Sequence, residues 1–306
     1  MILLTGASGY LGQSLLPSLI RLGGRTSVIT AGRQGRFNDR LLDLRAVSGY
    51  RQATEGVQTL IHCAGLAHNS GSSEDYERIN VRGSLALADA AIASGVKRFI
   101  FISSMNVVSP VAHDPHQPVA TMPCPASPYA ASKWRAEEGL EALLGSSSCE
   151  LHILRPALIY DRELTGNLAN LASLAHLIPV RFPELGRRAM ICREDLVRAI
   201  VMIVEQPFGA LGVQRYGIWD GQSYSARRIA NAVVGSRSLG LPNWLWRIAA
   251  SARDISRRAP RGSTWSAIGE DHWVGDGSNM PLFSVSWQLE SRFGADESHP
   301  VESGKS

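Results

Sequence analysis

The stretch TGASGYLG, Thr5 to Gly12, constrains this chain most. It follows an apolar run, Ile2–Thr5, and opens an amphipathic one, Tyr10–Leu22. Glycines at that spacing have separate uses. Gly6 permits a tight turn, Gly9 lets backbone approach a pyrophosphate with no Cβ in the way, and Gly12 lets the helix close on the strand. The helix N-terminus then offers free N–H groups and a positive dipole end to phosphate. The stretch predicts a dinucleotide site on a strand–turn–helix, with Tyr10 and Leu11 in the turn beside the cofactor.

The rest of the first half keeps the same alternation. Ser27–Thr30, Thr59–Cys63, Arg98–Ser103 and Leu151–Arg155 read as strands, and Glu74–Ser94 and Pro128–Leu144 as helices. These strands are apolar throughout, as they are where helices cover both faces of a parallel sheet. The expected fold is α/β: a Rossmann-type doubly wound parallel sheet with a smaller C-terminal α+β substrate region. Residues 1–160 form the NAD(P)-binding domain, whose last strands and helices extend into 161–220. Residues 161–294 form an interleaved substrate region, and the polar run 295–306 is a flexible tail. Within 161–294, helices are expected at Asn167–His176, Glu194–Glu205, Ala226–Val234 and Asn243–Ser256, with a strand at Val213–Ile218.

Bulk properties narrow the class. A chain of 306 residues, 44% hydrophobic and 19% charged, can bury a sizeable core. No apolar run reaches the roughly 18 residues of a membrane span. No basic n-region precedes the first strand, so a cytoplasmic location is expected. The four cysteines, Cys63, Cys124, Cys149 and Cys192, lack metal-ligand spacing and read as buried free thiols, with no metal site. A net charge of +4 reads first as a solvated, arginine-rich surface; a phosphate-bearing small molecule fits it as well as nucleic acid does, and with no nucleic-acid motif beside it no nucleic-acid partner is expected. PNWLWRIAASARDISRRAP is a basic amphipathic stretch with two tryptophans. It is read as a helix docked on the C-terminal region, with a membrane-surface helix as the alternative.

The end of the second strand chooses the cofactor. A carboxylate there would hold the adenosine ribose 2′-OH of NAD. The segment is VITAGRQGR, without an acid and with Arg33 just past the turn. A guanidinium suits the 2′-phosphate of NADP, which is therefore favoured over NAD. Asp43, followed by Leu44, is placed to reach the adenine amine.

SPYAASKW raises the question of chemistry. With 7 tyrosines and three lysines (Lys97, Lys133, Lys305) in the chain, a chance Tyr-x-x-x-Lys is expected about 0.07 times. Ser127 can cap a helix and Pro128 fits its first turn. Tyr129 and Lys133 then share one face. An ammonium near the phenol is expected to lower the tyrosine pKa and bring it towards a working acid/base.

TGASGYLG, IHCAG, INVRGSLALADAA, GVKRFIFISS, SPYAASKW and ILRPALIY occur in the order and spacing of one family. The chain resembles the extended short-chain dehydrogenases/reductases that epimerise, dehydrate or reduce nucleotide sugars. The resemblance covers roughly residues 1–206. It implies that Ser104, Tyr129 and Lys133 are catalytic, with Tyr129 the acid/base and Lys133 also holding the nicotinamide ribose. It places Cys63, Ala64 and Gly65 on the adenine-ribose side and Asn80 at the nicotinamide half, with a mainly structural role. Ser103 and Pro156 complete the expected cofactor contacts. Substrate contacts would be Ser104, Asn167 and Arg188. Family members often pair through the helices carrying INVRG and YAASK, so a homodimer is expected.

Departures narrow the reaction. The 4,6-dehydratases carry Asp-Glu after the catalytic Ser/Thr, and enzymes that also epimerise C3 and C5 carry a Cys there; Met105 and Asn106 stand here instead. IYD at Ile159–Asp161 replaces the usual VYG, so the loop beyond Tyr160 differs. A 4-ketoreductase and a 4-epimerase remain. Arg33 tilts the reading to a reductase that consumes NADPH. A non-catalytic NADP-binding sensor or structural subunit is the reading from another class, but such relatives typically lose the Tyr or Lys, and both are present.

Overall fold

Apolar strands separated by helices have one economical solution, a parallel sheet covered on both faces, and the chain takes it. In a computed structural model the described residues are 1–33, 39–46, 49–67, 71–108, 125, 127–164, 168–169, 171–172, 182–209, 211–234, 242–256 and 284–294. The strands are β1 (Ile2–Thr5), β2 (Val28–Gly32), β3 (Arg40–Leu41), β4 (Thr59–His62), β5 (Arg98–Ile102), β6 (Glu150–Pro156), β7 (Leu158–Tyr160), β8 (Arg188–Cys192), β9 (Val213–Ile218) and β10 (Ser223–Tyr224). Seven make one sheet in the order β3-β2-β1-β4-β5-β6-β9, with every pair parallel. The order reverses at β1, so a crevice opens beyond the carboxyl ends of β1 and β4.

The chain divides into two compact units. The first comprises Met1–Ser109, Ala120–Pro156 and Leu196–Ile218; the second comprises Pro110–Val119, Ala157–Asp195 and Trp219–Ser306. The first holds the large sheet. Its helices are α1 (Tyr10–Gly23), α2 (Tyr50–Thr54), α3 (Ser73–Tyr76), α4 (Gly83–Ala93), α5 (Pro128–Leu144) and, from Leu196 onward, α6 (Arg193–Glu205). Leu3, Leu60, Phe99, Phe101, Leu151 and Ile153 of the strands pack on Leu87 and Ala91 of α4 and Leu140 and Leu144 of α5. Burying each large side chain contributes about 1.5–3 kcal/mol.

Two elements differ from expectation. The helix expected over Glu74–Ser94 is broken: α3 is followed by a π-helical segment, Glu77–Arg82, and only then by α4. A capping box starts it, with Ser72 and Asp75 each accepting from the other's backbone N–H. The second strand runs on to Gly32, two residues past the expected end, so Arg33 follows the strand directly.

In the second unit β10-β8-β7 form a small sheet, β7 parallel and β10 antiparallel to β8. With it come α7 (Ala226–Val234), α8 (Asn243–Ser256) and α9 (Leu289–Gly294). Tyr160, Met190, Tyr224, Ile229, Trp246 and Leu289 share its core. Asp161, the residue that departs from the family pattern, pairs with Arg193 at 2.5 Å and Arg292 at 2.6 Å. The expected tail 295–306 lies outside the described residues, as does the start of the helix expected at Asn167–His176. Among the described residues no helix is long and apolar enough to cross a membrane.

Candidate active site

The loops after β1 and β4 meet at the crevice. Gly6 has φ 74°, and a Cβ there would lie 2.7 Å from the Ala64 nitrogen. A Cβ on Gly12 would lie 2.1 Å from the Gly6 carbonyl oxygen. Any side chain at either position would push the two loops apart. The N-terminus of α1, where Tyr10 and Leu11 stand, carries no acid in its first turn, and its cap residue Gly9 supplies no side chain. The first-turn N–H groups thus face no competing carboxylate of their own helix, which fits a pyrophosphate.

Arg33 is exposed just past β2. The nearest acid along the chain, Asp39, is committed elsewhere. It accepts from the Thr30 N–H at 2.8 Å, the Thr30 hydroxyl at 3.0 Å and Arg25 at 2.7 Å. Asp43 is half-buried and accepts from the Arg45 N–H at 3.0 Å. Leu44 packs where α4 begins, so close that a Cβ on Gly83 would meet it at 2.9 Å.

The catalytic candidates come together in the first unit. Ser127 caps α5, its hydroxyl accepting from the Ala130 N–H at 3.2 Å, and Pro128 occupies the first turn. Tyr129 then stands half-buried, its ring edge-on to Tyr76 with centroids 5.9 Å apart. Ser104 accepts from the Asn106 N–H at 3.2 Å. It also hydrogen-bonds the Tyr129 phenol. Burial pushes the Tyr129 phenol up to about 12; the Ser104 hydrogen bond pulls the other way and loses.

Lys133 is buried, and its ammonium donates to the Ile102 carbonyl at 2.9 Å above the Phe101 ring. Burial pushes it down to about 8. The expectation that Lys133 would lower the tyrosine pKa is therefore corrected. Ser104 is the group that favours the phenolate here, while Lys133 is held at the end of β5 by a carbonyl and a π face.

Beneath them lies a network that sequence reading missed except for Asn80. Asn80 sits in the π segment and grips Leu66 at both backbone groups: Oδ1 accepts from the N–H at 2.7 Å, and Nδ2 donates to the carbonyl at 3.1 Å. Nδ2 also donates to Ser132 Oγ at 3.1 Å, and Ser132 donates to the Tyr129 carbonyl at 2.7 Å. Gly65, between this clamp and Ala64, leaves room for the Asn80 side chain.

His62 joins the network from behind. Ser84 donates to the Asn80 carbonyl at 2.7 Å, so it must accept from His62 Nε2–H at 2.9 Å. His62 Nδ1 then accepts from the Thr5 hydroxyl at 2.7 Å, and Thr5 accepts from the Ala64 N–H at 3.3 Å. The partners assign the tautomer. Burial pushes His62 down to about 3, so it is neutral. Cys63, expected buried, is half-buried, and its thiol is pushed up to about 12, chiefly by burial.

Ser103 donates its hydroxyl to Glu137, which also binds Arg155 at 2.5 Å, all three being buried. Pro156 closes β6, opposite Ile218. Arg188 opens β8 in the second unit, where its guanidinium donates to the Gly186 carbonyl at 3.0 Å. Asn167 lies outside the described residues. Among the described residues no cluster of metal-binding side chains occurs.

A glycine turn at the switch point of a parallel sheet, with Ser, Tyr and Lys at one strand end, defines an NAD(P)-binding enzyme of the extended short-chain dehydrogenase/reductase class. The chain belongs to the NAD dependent epimerase/dehydratase family, whose pattern matches residues 2–218. It is 31% identical over 264 residues to a UDP-glucose 4-epimerase of Vibrio cholerae, covering 79% of this chain and 77% of that one. It is 31% identical over 217 residues to a ceramide reductase of Caulobacter vibrioides, covering 68% and 62%. The structure of MoeE5, solved with UDP-glucose and NAD, aligns over 96% of both chains with TM-score 0.70 at 19% identity, a likeness of fold.

Proposed function

We propose that the protein reduces the C4 keto group of a nucleotide sugar with NADPH. The observation that carries this is the end of β2. Gly32 and Arg33 stand where a carboxylate would select the free ribose 2′-OH, and Asp39 is engaged by Thr30 and Arg25. A guanidinium there supports a 2′-phosphate. A cofactor consumed and replaced each turnover fits a reductase better than an epimerase, which keeps its cofactor.

The bound nicotinamide would supply hydride to C4. Tyr129, held protonated, gives the phenolic proton to the C4 oxygen, and Ser104 donates a hydrogen bond to that oxygen. Lys133 holds the nicotinamide ribose hydroxyls, and Asn80 fixes the Leu66 loop beside it. Asn167 and Arg188 are the proposed contacts to the nucleotide diphosphate. Two copies pair along α4 and α5.

Similarity to the Vibrio cholerae enzyme favours a second reading, a 4-epimerase, in which Tyr129 takes the proton of the C4 hydroxyl while the cofactor would take the C4 hydride; after the keto sugar turns, the hydride returns to the other face and Tyr129 returns the proton to the C4 oxygen. An Arg33→Ala variant tests the cofactor choice. It should raise the KM for NADPH about tenfold, the loss of one charge-assisted contact, and leave that for NADH almost unchanged. Equal KM for NADPH in variant and parent would remove the argument from β2.

A further inference from the structure

We infer that Glu137 is a positioning residue: from α5 it holds the Ser103–Ser104 step past β5, and the Lys133 ammonium, in register with Tyr129. Its role rests on the reaction proposed for Ser104, Tyr129 and Lys133. All the groups concerned belong to the first unit. Tyr129, Lys133 and Glu137 stand at successive four-residue steps of α5, so they follow one another along one side of the helix. The last two both grip the end of β5. Lys133 donates to the Ile102 carbonyl at 2.9 Å, and Glu137 accepts from the Ser103 hydroxyl. Ile102 and Ser103 are the two residues directly before Ser104. The Ser103 N–H is fixed as well, donating to the Leu154 carbonyl at 2.7 Å.

The carboxylate is itself held. Arg155 of β6 donates to it through Nε, at 3.1 Å to each oxygen, and through Nη2 at 2.5 Å, and its guanidinium lies over the Trp134 ring at 5.6 Å. Ser103, Glu137 and Arg155 are 3%, 1% and 0% exposed. A buried ion pair adds little stability over apolar side chains of the same volume. Directional bonds do fix a distance, where an apolar contact would tolerate sliding. Here they set α5 against the ends of β5 and β6, and the Ser104–Tyr129 hydrogen bond joins the same two elements, α5 and the end of β5. Charge acts in the same direction. The titratable groups around the Lys133 ammonium are His62 and Cys63 at the end of β4 and Glu137 on its own helix, with Arg155 beyond Glu137; β5 contributes a carbonyl and a ring. His62 is pushed down to about 3 and Cys63 up to about 12, so both are uncharged at neutral pH. That leaves the Glu137 carboxylate to favour the ammonium against burial.

The test has two readouts on the full chain, one of them free of substrate. The chain has three lysines, so carbon-13 at lysine Cε gives a simple spectrum in which Lys97→Arg and Lys305→Arg assign Lys133. The Lys133 titration should centre near 8 in the parent. In Glu137→Gln it should centre lower by about one pH unit or more, and in Glu137→Asp closer to the parent. The second readout is turnover. Ser103→Ala leaves the Glu137–Arg155 pair in place, so it should fold as the parent does yet lose about tenfold in kcat, with KM for NADPH unchanged. Ser103→Thr, which keeps a hydroxyl, should recover part of that loss. An unmoved Lys133 midpoint in folded Glu137→Gln, or parent kcat in Ser103→Ala, would overturn the inference. Should Glu137→Gln fail to fold, the kcat of Ser103→Ala decides alone. A parent that neither reduces 4-keto sugars nor interconverts C4 epimers would instead refute the proposed reaction, and the lysine titration would still judge the part played by Glu137.

Discussion

The environment of Tyr129 holds its phenol protonated, the state the proposed proton donor needs. Burial outweighs the Ser104 hydrogen bond and leaves the phenol protonated across the neutral range. His62 shows the same force acting on a base. Its folded pKa is about 3, against 6.5 for a free imidazole. Between those values the unfolded chain takes up a proton that the folded chain refuses. The stability His62 permits is complete above about 6.5 and is lost as pH falls towards 3. A His62→Phe variant should unfold at a lower temperature at pH 7 but show a flatter fall of melting temperature from pH 6.5 to 4 than the parent. A parallel fall in both proteins would show that His62 is not the titrating group. That Ser104, Tyr129 and Lys133 come together was legible because the chemistry proposed for them demands fixed residue types at fixed spacing. His62 was not: nothing in an apolar strand reveals that Thr5 and Ser84, from other elements, will hold both ring nitrogens.

At the scale of elements, the π segment Glu77–Arg82 is where helix regularity yields to the site. Such insertions often mark functional positions, and here one carries the Asn80 clamp to Leu66 and Ser132. An Asn80→Ala variant leaves the Leu66 backbone groups without that partner. It should cost about 1–3 kcal/mol in chemical denaturation and weaken cofactor binding with it, whereas Asn80→Asp, which keeps the acceptor, should lose less. An unchanged cofactor affinity in Asn80→Ala would disconnect the clamp from the site. Composition over 74–94 predicts helix and cannot register one extra residue in a turn. Helices with a strong cap or a clear apolar stripe fared otherwise: α5, α7 and α8 begin and end where their sequences indicate. The two-residue strands β3 and β10 are too short to carry any pattern.

Across the whole molecule, two buried ion pairs tie distant segments of the first unit together. Arg98 binds Glu150 at 2.6 Å and donates to the Ile203, Gln206 and Pro207 carbonyls at the end of α6. Arg155, Glu137 and Ser103 join β6, α5 and the end of β5. Replacing Glu137 by Leu strands a buried guanidinium and should destabilise by about 3–5 kcal/mol, while Glu137→Leu with Arg155→Met should recover much of that in urea titration. A double variant no better than the single would assign the loss to packing. The parallel sheet and the glycine turn were readable because each βα unit repeats a local pattern. These ion pairs were not, since the partners meet only after the sheet has assembled. The central claim is that Tyr129 and its neighbours run a net reduction. Its most direct measurement is NADPH oxidation by the purified protein with UDP- and dTDP-4-keto sugars, beside a Tyr129→Phe variant. Stoichiometric oxidation is predicted, cut by roughly 10²–10⁴ in the variant with cofactor affinity kept. Tightly retained NAD with interconversion of the C4 epimers and no net NADPH oxidation would contradict it.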